Sequence, residues 1–449
     1  MRRQDQLSLT RLRIDHPHAA ELETISGILS ANPRMALLIA QDLVQGVTHA
    51  HTGARGMSGE QVLRVLIVKQ ITGFSYEELA FHLADSVTYR SFCGIGSFEP
   101  VPGRSTLAEN IKKIRPKTLE KINRRLVRYA VDEGIETGRK VRIDATVTAS
   151  NIHAPTDSSL LFDGVRVISR LLGDAQELCG FTAWSNHTKR AKRRMLEIVN
   201  TNDASRREDA YTDLLSVLDT CTGYAKAALP VLRAVRGSRR RRKMALTIAA
   251  KLEEFLTWTA CVADQTERRV LQGESVPSEE KVVSIFEPHT DIIVKDRRDT
   301  HYGHKVFVGA GASGLITDCV IARGNPADTS MTVPLLRRQA RILGRMPEQA
   351  AFDGGFASKE NLKAGKALGI TDLAFSKKRG LAVTDMTRSS WVYRSLRNFR
   401  AGIEGLISFL KRAMGMGRCT WKGADSFRSY VMASVLAGNL LTLARQQAA

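Results

Sequence analysis

Three acidic residues stand where an α/β sheet could gather them, although long stretches of chain separate them. Asp144 lies on the polar side of Lys140–Thr148. There Val141, Ile143, Ala145 and Val147 alternate with Arg142, Asp144, Thr146 and Thr148, the pattern of a half-buried strand. Asp353 follows the apolar Ala350-Ala351-Phe352 and precedes Gly354-Gly355. It therefore emerges at a strand's C-terminal end, the edge where open α/β sheets place ligand sites. Glu404 belongs to RNFRAGIEGLISFLKRAMG, which reads as a helix. Singly, each has a plain explanation: a solvent-face Asp, a turn Asp before glycine, a surface Glu. As a set they suit phosphodiester cleavage, in which two divalent ions about 4 Å apart stabilise the attacking and leaving oxygens. Mg²⁺, with Mn²⁺ able to substitute, is a hard cation that takes carboxylate oxygens and keeps several waters. Asp144, Asp353 and Glu404 are thus the candidate catalytic residues and metal ligands.

The helix around Glu404 carries more. Arg400, Glu404 and Lys411 are four and seven residues apart, so they share one helical face. Such a face could hold a metal with its carboxylate and grip flanking phosphates with its cations. The plain alternative is a surface ion pair four residues apart, worth only about 0.3–0.5 kcal/mol.

Charge points the same way. Among 449 residues, 67 Lys and Arg face 46 Asp and Glu, a formal +21. That excess favours a polyanionic partner, because each neutralised phosphate releases condensed counterions. A ribosome-associated or membrane-surface protein would show the same sign. Two clusters concentrate the charge: Lys189, Arg190, Lys192, Arg193 and Arg194, and then Arg239, Arg240, Arg241, Arg242 and Lys243. Either is a solvated helix face or a set of phosphate contacts. The six cysteines contain no Cys-x-x-Cys pair and read as thiols of a reducing compartment. MRRQDQLSLTRLRID lacks the apolar core of a signal peptide. Tyr430–Ala444 is apolar but short for a bilayer. The expected location is cytoplasmic.

The elements that must position the acids follow from periodicity. Residues 1–45 form a polar lead, with a helix around Pro33–Val44 that Asn32 could cap. Gly59–Ile71 has helical spacing. Ser75 with Glu78 is a capping box for Tyr76–Asp85, and Ser105 could cap a third helix ended by Pro116. These short helices resemble a helix-turn-helix unit, with a plain helical bundle as the alternative. From 158 to 272 the pattern is helical throughout. Strand signals then resume at Lys281–Phe286, Lys305–Gly309, Leu315–Ala322, Gln349–Phe352 and Leu373–Ser376. Helices are predicted at Asn325–Leu343, at Ser358–Leu368 and, past a loop at Lys377–Arg388, over the remainder. This order fits a mixed α/β sheet. It is close to the ribonuclease H-like order, with a large helical insertion after the first strand.

With those residues in view, the chain resembles an insertion-sequence DDE transposase of the group bearing a Tyr-x2-Arg-x3-Glu-x6-Lys signature. Arg400, Glu404 and Lys411 match its last three positions. The Tyr position holds Arg397, with Phe399 or Tyr393 as nearby aromatic substitutes. IDATVTASNIHAPTDSSLL resembles the first-Asp segment of that family, SIFEPHTDII and HYGHKVFV the strands after its insertion, and AFDGGFASKENLKAGKALGI the second-Asp segment. GFSYEELAFHLADSVTYRSFCGI and GRSTLAENIKKI are similar to its DNA-binding domain.

The resemblance implies an all-α domain over 46–125, a catalytic domain from 138–157 and 273–445, and an insertion at 158–272. It implies cleavage and strand transfer on double-stranded DNA, at terminal inverted repeats and a target, by a homodimer or larger assembly that brings two ends together. Asp144 and Asp353 would bridge and bind the metals, and Glu404 would complete the second site. DNA contacts are expected from Arg400, Lys411 and Arg397, from Arg104, Lys112 and Lys113, and from Arg239 through Arg242. His304 and Lys305 are weaker candidates. A domesticated DNA-binding regulator and a metal-dependent nuclease without strand transfer are the competing readings.

Overall fold

The computed structural model describes residues 14–47, 56–96, 99–295 and 299–448. Residues 1–13, the start of the expected polar lead, lie outside them. Ser150–His304 forms one compact unit, and the chain on either side of it forms another.

In the second of these, seven helices among the described residues precede the first strand: α1 (Pro17–Ala31), α2 (Arg34–Val44), α3 (Gly59–Thr72), α4 (Tyr76–Asp85), α5 (Val87–Phe92), α6 (Arg104–Lys112) and α7 (Pro116–Asp132). Local signals start several of them. Ser58 with Gln61 and Ser75 with Glu78 both close reciprocal capping boxes, each satisfying two orphan amides. Other starts differ from expectation. α1 lies inside the polar lead and buries Leu22, Ile25, Ile28 and Leu29. Asn32 does not cap α2; its buried amide closes α1 by donating to Ile28 O at 3.0 Å. Gly103, not Ser105, precedes α6. Pro116 opens α7, where a missing N–H costs nothing.

The sheet begins with β1 (Lys140–Ala149). The intervening unit supplies α8 (Asp157–Cys179), α9 (Thr188–Asn200), α10 (Ala204–Arg233), α11 (Arg239–Thr266), β2 (Asp291–Lys295) and the start of β3 (Asp299–Gly311). Then follow β4 (Ile316–Ile321), α12 (Asp328–Leu343), β5 (Gln349–Phe352), α13 (Lys359–Ala367), β6 (Asp372–Phe375), α14 (Val383–Met386), α15 (Ser390–Arg412) and α16 (Ala424–Ala448). The strand expected at Lys281–Phe286 is not one. Val282 and Ile285 are buried in the helical core of their unit without joining the sheet, so apolar content there reports burial rather than strand pairing.

The strand order is β2-β3-β1-β5-β6, with β4 pairing β3. β1, β5 and β6 run parallel, and β3 pairs antiparallel with β2 and β4. This is the mixed sheet of a ribonuclease H-like fold, preceded by a helical region. β5 and β6 read as short apolar runs because both faces are covered; Ala350, Phe352, Leu373 and Phe375 are fully buried. α16 packs with α1, α3 and α7 in one core that also takes in β4. By length and hydropathy α16 could cross a membrane, but 89% of its apolar window is buried inside the protein.

Candidate active site

Register places the first two acids. β1 pairs in parallel with β5 as Lys140↔Gln349 through Ile143↔Phe352, so Asp144 and Asp353 each directly follow the last paired residue. β5 pairs with β6 up to Phe352↔Phe375, so Asp353 and Ser376 likewise follow the last pair. The Ser376 amide donates to Phe352 O, and its hydroxyl donates to Asp353 Oδ1 at 2.8 Å. Three polar side chains thus line up across three parallel strands, where the apolar residues of β5 and β6 give out.

The turn after Asp353 is tight. Gly354–Phe356 forms a short 3-10 turn with Asp353 at its N-cap. A Cβ on Gly354 would come 2.6 Å from Lys377 Cβ, and one on Gly355 2.6 Å from Asp328 Oδ2. A side chain at Gly354 would therefore overlap the root of Lys377, and one at Gly355 would force the Asp328 carboxylate to shift. Asp328 is held in turn by Lys305 Nζ at 2.6 Å, and Lys305 also donates to Pro326 O at 2.9 Å. Lys305 is thus tied into the support of this turn. His304, by contrast, belongs to a hydrogen-bonded row with His289 and Asp291 in the other unit.

α15 brings the third acid. Tyr393, Leu396, Ile403 and Leu410 form its buried face, and the Tyr393 hydroxyl donates to Phe375 O at 2.9 Å. Arg142 on β1 donates to Phe399 O at 2.9 Å with its guanidinium 4.6 Å from the Phe399 ring. Both aromatic candidates for the missing Tyr position therefore serve to seat the helix. Arg397 itself is exposed.

Arg400 then joins the three acids. Its Nη2 lies 2.6 Å from Asp144 Oδ2 and 3.4 Å from Asp353 Oδ1, while Nη1 lies 2.8 Å from Glu404 Oε1. The Arg400 and Asp144 side chains are 15% and 14% exposed, Glu404 67%. Burial pushes the Asp353 carboxyl up, but the Ser376 hydroxyl, the Gly354 amide and Arg400 outweigh it and hold the group below its ordinary value. Among the described residues, no three His, Cys, Asp or Glu side chains are close enough to hold a metal by themselves; a guanidinium sits at the centre of the acids. The donor set nonetheless fits a hard divalent cation. It offers carboxylate oxygens alone, and three of them around one guanidinium leave a surplus of negative charge.

The remaining candidates are spread out. Lys411 lies in the last turn of α15 and is partly buried. Arg104, Lys112 and Lys113 are exposed at the two ends of α6, with Arg104 3.4 Å from Glu77. In the other unit, Arg239–Arg242 are exposed in the first turn of α11, and Arg241 donates to Leu178 O at 2.8 Å. Cations oppose the helix dipole there, so helix stability does not account for them. Arg190 and Arg194 are neutralised by Asp213 and Glu197, which returns these two of the five cations in the other basic cluster to a structural role. Sequence reading missed Ser376, Asp328 and Arg142. Ser376 carried one signal: it stands directly after a buried apolar run, as Asp353 does.

Residues 18–113 match a family model described as Transposase domain (DUF772), and residues 288–440 match one described as Transposase DDE domain. The second spans Asp353, Arg400 and Glu404; Asp144 precedes it and joins them through the sheet. No curated protein and no solved structure matches the chain.

Proposed function

Because this chain belongs to the DDE transposases of insertion-sequence type, we propose that it binds the terminal repeats of its element, cleaves them and joins them to target DNA. The observation that carries this reading is the convergence of Asp144, Asp353 and Glu404 on Arg400. Asp144 on β1 and Asp353 directly after the parallel β5 would be the principal ligands of divalent cations, Mg²⁺ first and Mn²⁺ in its place, with Glu404 completing the set from α15. Bound there, such ions would polarise the scissile phosphate and lower the pKa of the attacking water or 3′-hydroxyl. Ser376 and the Gly354 amide orient the Asp353 carboxylate. Arg400 and Lys411 offer positive charge to the phosphates beside the reacting one, and Arg397 extends it outward. Arg104, Lys112, Lys113 and Arg239–Arg242 would contact the duplex backbone, in a cytoplasmic assembly of at least two copies that holds both ends.

The test is incubation of labelled terminal-repeat DNA with Mg²⁺. Joined product supports transposition, nicking alone a nuclease, and binding without cutting a regulator. Asp353→Asn removes a ligand charge and no basic contact, so it should abolish cleavage and leave binding largely intact. Cleavage near the wild-type rate would rule Asp353 out as a ligand.

A further inference from the structure

Beside the acids, α15 carries a feature that metal binding and cleavage do not require. Trp391 in its first turn is 70% exposed, whereas Trp184, Trp258 and Trp421 are all partly buried. Trp391, Arg394, Asn398, Ala401 and Glu404 follow at spacings of three and four and are all exposed, so they form one oblique ridge along the helix. The ridge runs from the catalytic carboxylate past a side chain too short to obstruct, then an amide and a guanidinium, to an indole face. Arg397 flanks it. The loop after β6 adds Lys377, Lys378 and Arg379, all exposed, and Lys378 Nζ comes 5.8 Å from the Tyr393 ring.

We propose that this ridge is a track for unpaired nucleotides of the DNA end, with Trp391 stacking on a base. An aromatic face beside a line of cations is the usual platform for single-stranded nucleic acid, because every base has a π-face and every nucleotide a phosphate. Charge argues against a second copy of the chain as occupant, since Arg394, Arg397, Lys377, Lys378 and Arg379, all exposed, would face the same cations in the copy. Thirteen residues of helix from Glu404 to Trp391 span about 20 Å at about 1.5 Å per residue. That is roughly six nucleotides at about 3.4 Å per step of a duplex strand, and fewer in a stretched one. Trp391 therefore meets a base about three to six nucleotides from the reacting phosphate.

The inference rests on the DNA-processing role proposed above and deepens it. Its test compares affinity for a blunt terminal-repeat duplex with affinity for the same end bearing an unpaired overhang, for wild type, W391A, W391F and R394Q. Stacking predicts that W391A loses about 5- to 150-fold on the overhang DNA and little on the blunt duplex. W391F should recover most of the loss. R394Q should weaken both, with a shallower salt dependence. If W391A discriminates between the two DNAs as well as wild type, or weakens both equally, the stacking role is overturned even where wild type still makes joined product. A wild type that binds neither DNA overturns both proposals.

Discussion

Arg400→Met keeps the apolar stem of the side chain and removes the cation on which three carboxylates converge. The cost can be worked from the geometry. The 2.6 Å contact to Asp144 joins side chains 15% and 14% exposed, and a hydrogen bond to a charged group contributes about 1.5–3 kcal/mol. The 3.4 Å approach to Asp353 and the pair with the largely exposed Glu404 are worth surface amounts, below about 1 kcal/mol each. Breaking a fully buried pair costs about 3–5 kcal/mol, which sets the ceiling. A loss of about 2–3 kcal/mol follows for the protein in a chelator. Divalent cations change the comparison. A ligand at a hundred times its Kd stabilises by about 2.7 kcal/mol, but in the wild type part of that gain is spent displacing Arg400 from Asp144. The variant has no such competitor, so Mg²⁺ should stabilise it more than it does the wild type and narrow the gap between them. Denaturant unfolding with EDTA and with Mg²⁺ reads both quantities. A gap that Mg²⁺ leaves unchanged would refute the idea that Arg400 and the metal compete for one place.

Three further outcomes are expected. Gly355→Ala sets a Cβ 2.6 Å from Asp328 Oδ2, on a carboxylate whose Oδ1 is paired with Lys305, so overpacking should cost about 1–3 kcal/mol in unfolding experiments and depress cleavage by displacing Asp353. Ser376→Ala removes one of the groups that hold Asp353 below its ordinary carboxyl value of 3.8. Stability linked to that depressed value is fully present above pH 3.8 and is lost as the pH falls through the folded-state pKa. The variant's carboxyl should therefore titrate closer to the ordinary value by carbon-13 NMR, and its acid unfolding should draw less on this group. Replacing Arg239–Arg242 by Gln should make the salt dependence of DNA binding shallower, by about 0.9 in the log–log slope for each phosphate these side chains neutralise. Helix stability should not fall, since those cations face the positive end of the α11 dipole.

How much of this was legible in the sequence depended on whether the decisive interaction was local. Ser75 and Glu78 close their capping box as written, and Val141 and Ile143 bury while Arg142 and Asp144 face the other way, because both patterns are set within a few residues. α1 escapes a reading by periodicity since its apolar residues are diluted by Glu21, Glu23, Ser26 and Ser30, and only packing against α16 and α5 reveals them as a core face. Val282 and Ile285 mislead for the opposite reason: they are apolar because they fill the helical unit's core, and no strand is needed for that. Sequence pairs Arg400 with Glu404 four residues away. It gives no sign that the shorter contact, to Asp144, comes from 256 residues upstream.

That long contact is itself a consequence of register. A parallel sheet repeats its alternation from strand to strand, so the residue after Ile143 on β1, the one after Phe352 on β5 and the one after Phe375 on β6 stand in a row. Those residues are Asp144, Asp353 and Ser376. A slip of one residue in β1 would turn Val141 and Ile143 out of the core and send Asp144 to the opposite face. The same apolar burial that stabilises the sheet therefore also aims the carboxylate. It follows that Asp144 needs no turn or glycine of its own to be positioned, as Asp353 does. The strand around it can be ordinary because its neighbours carry the information, which is why Asp144 reads so blandly when its segment is taken alone.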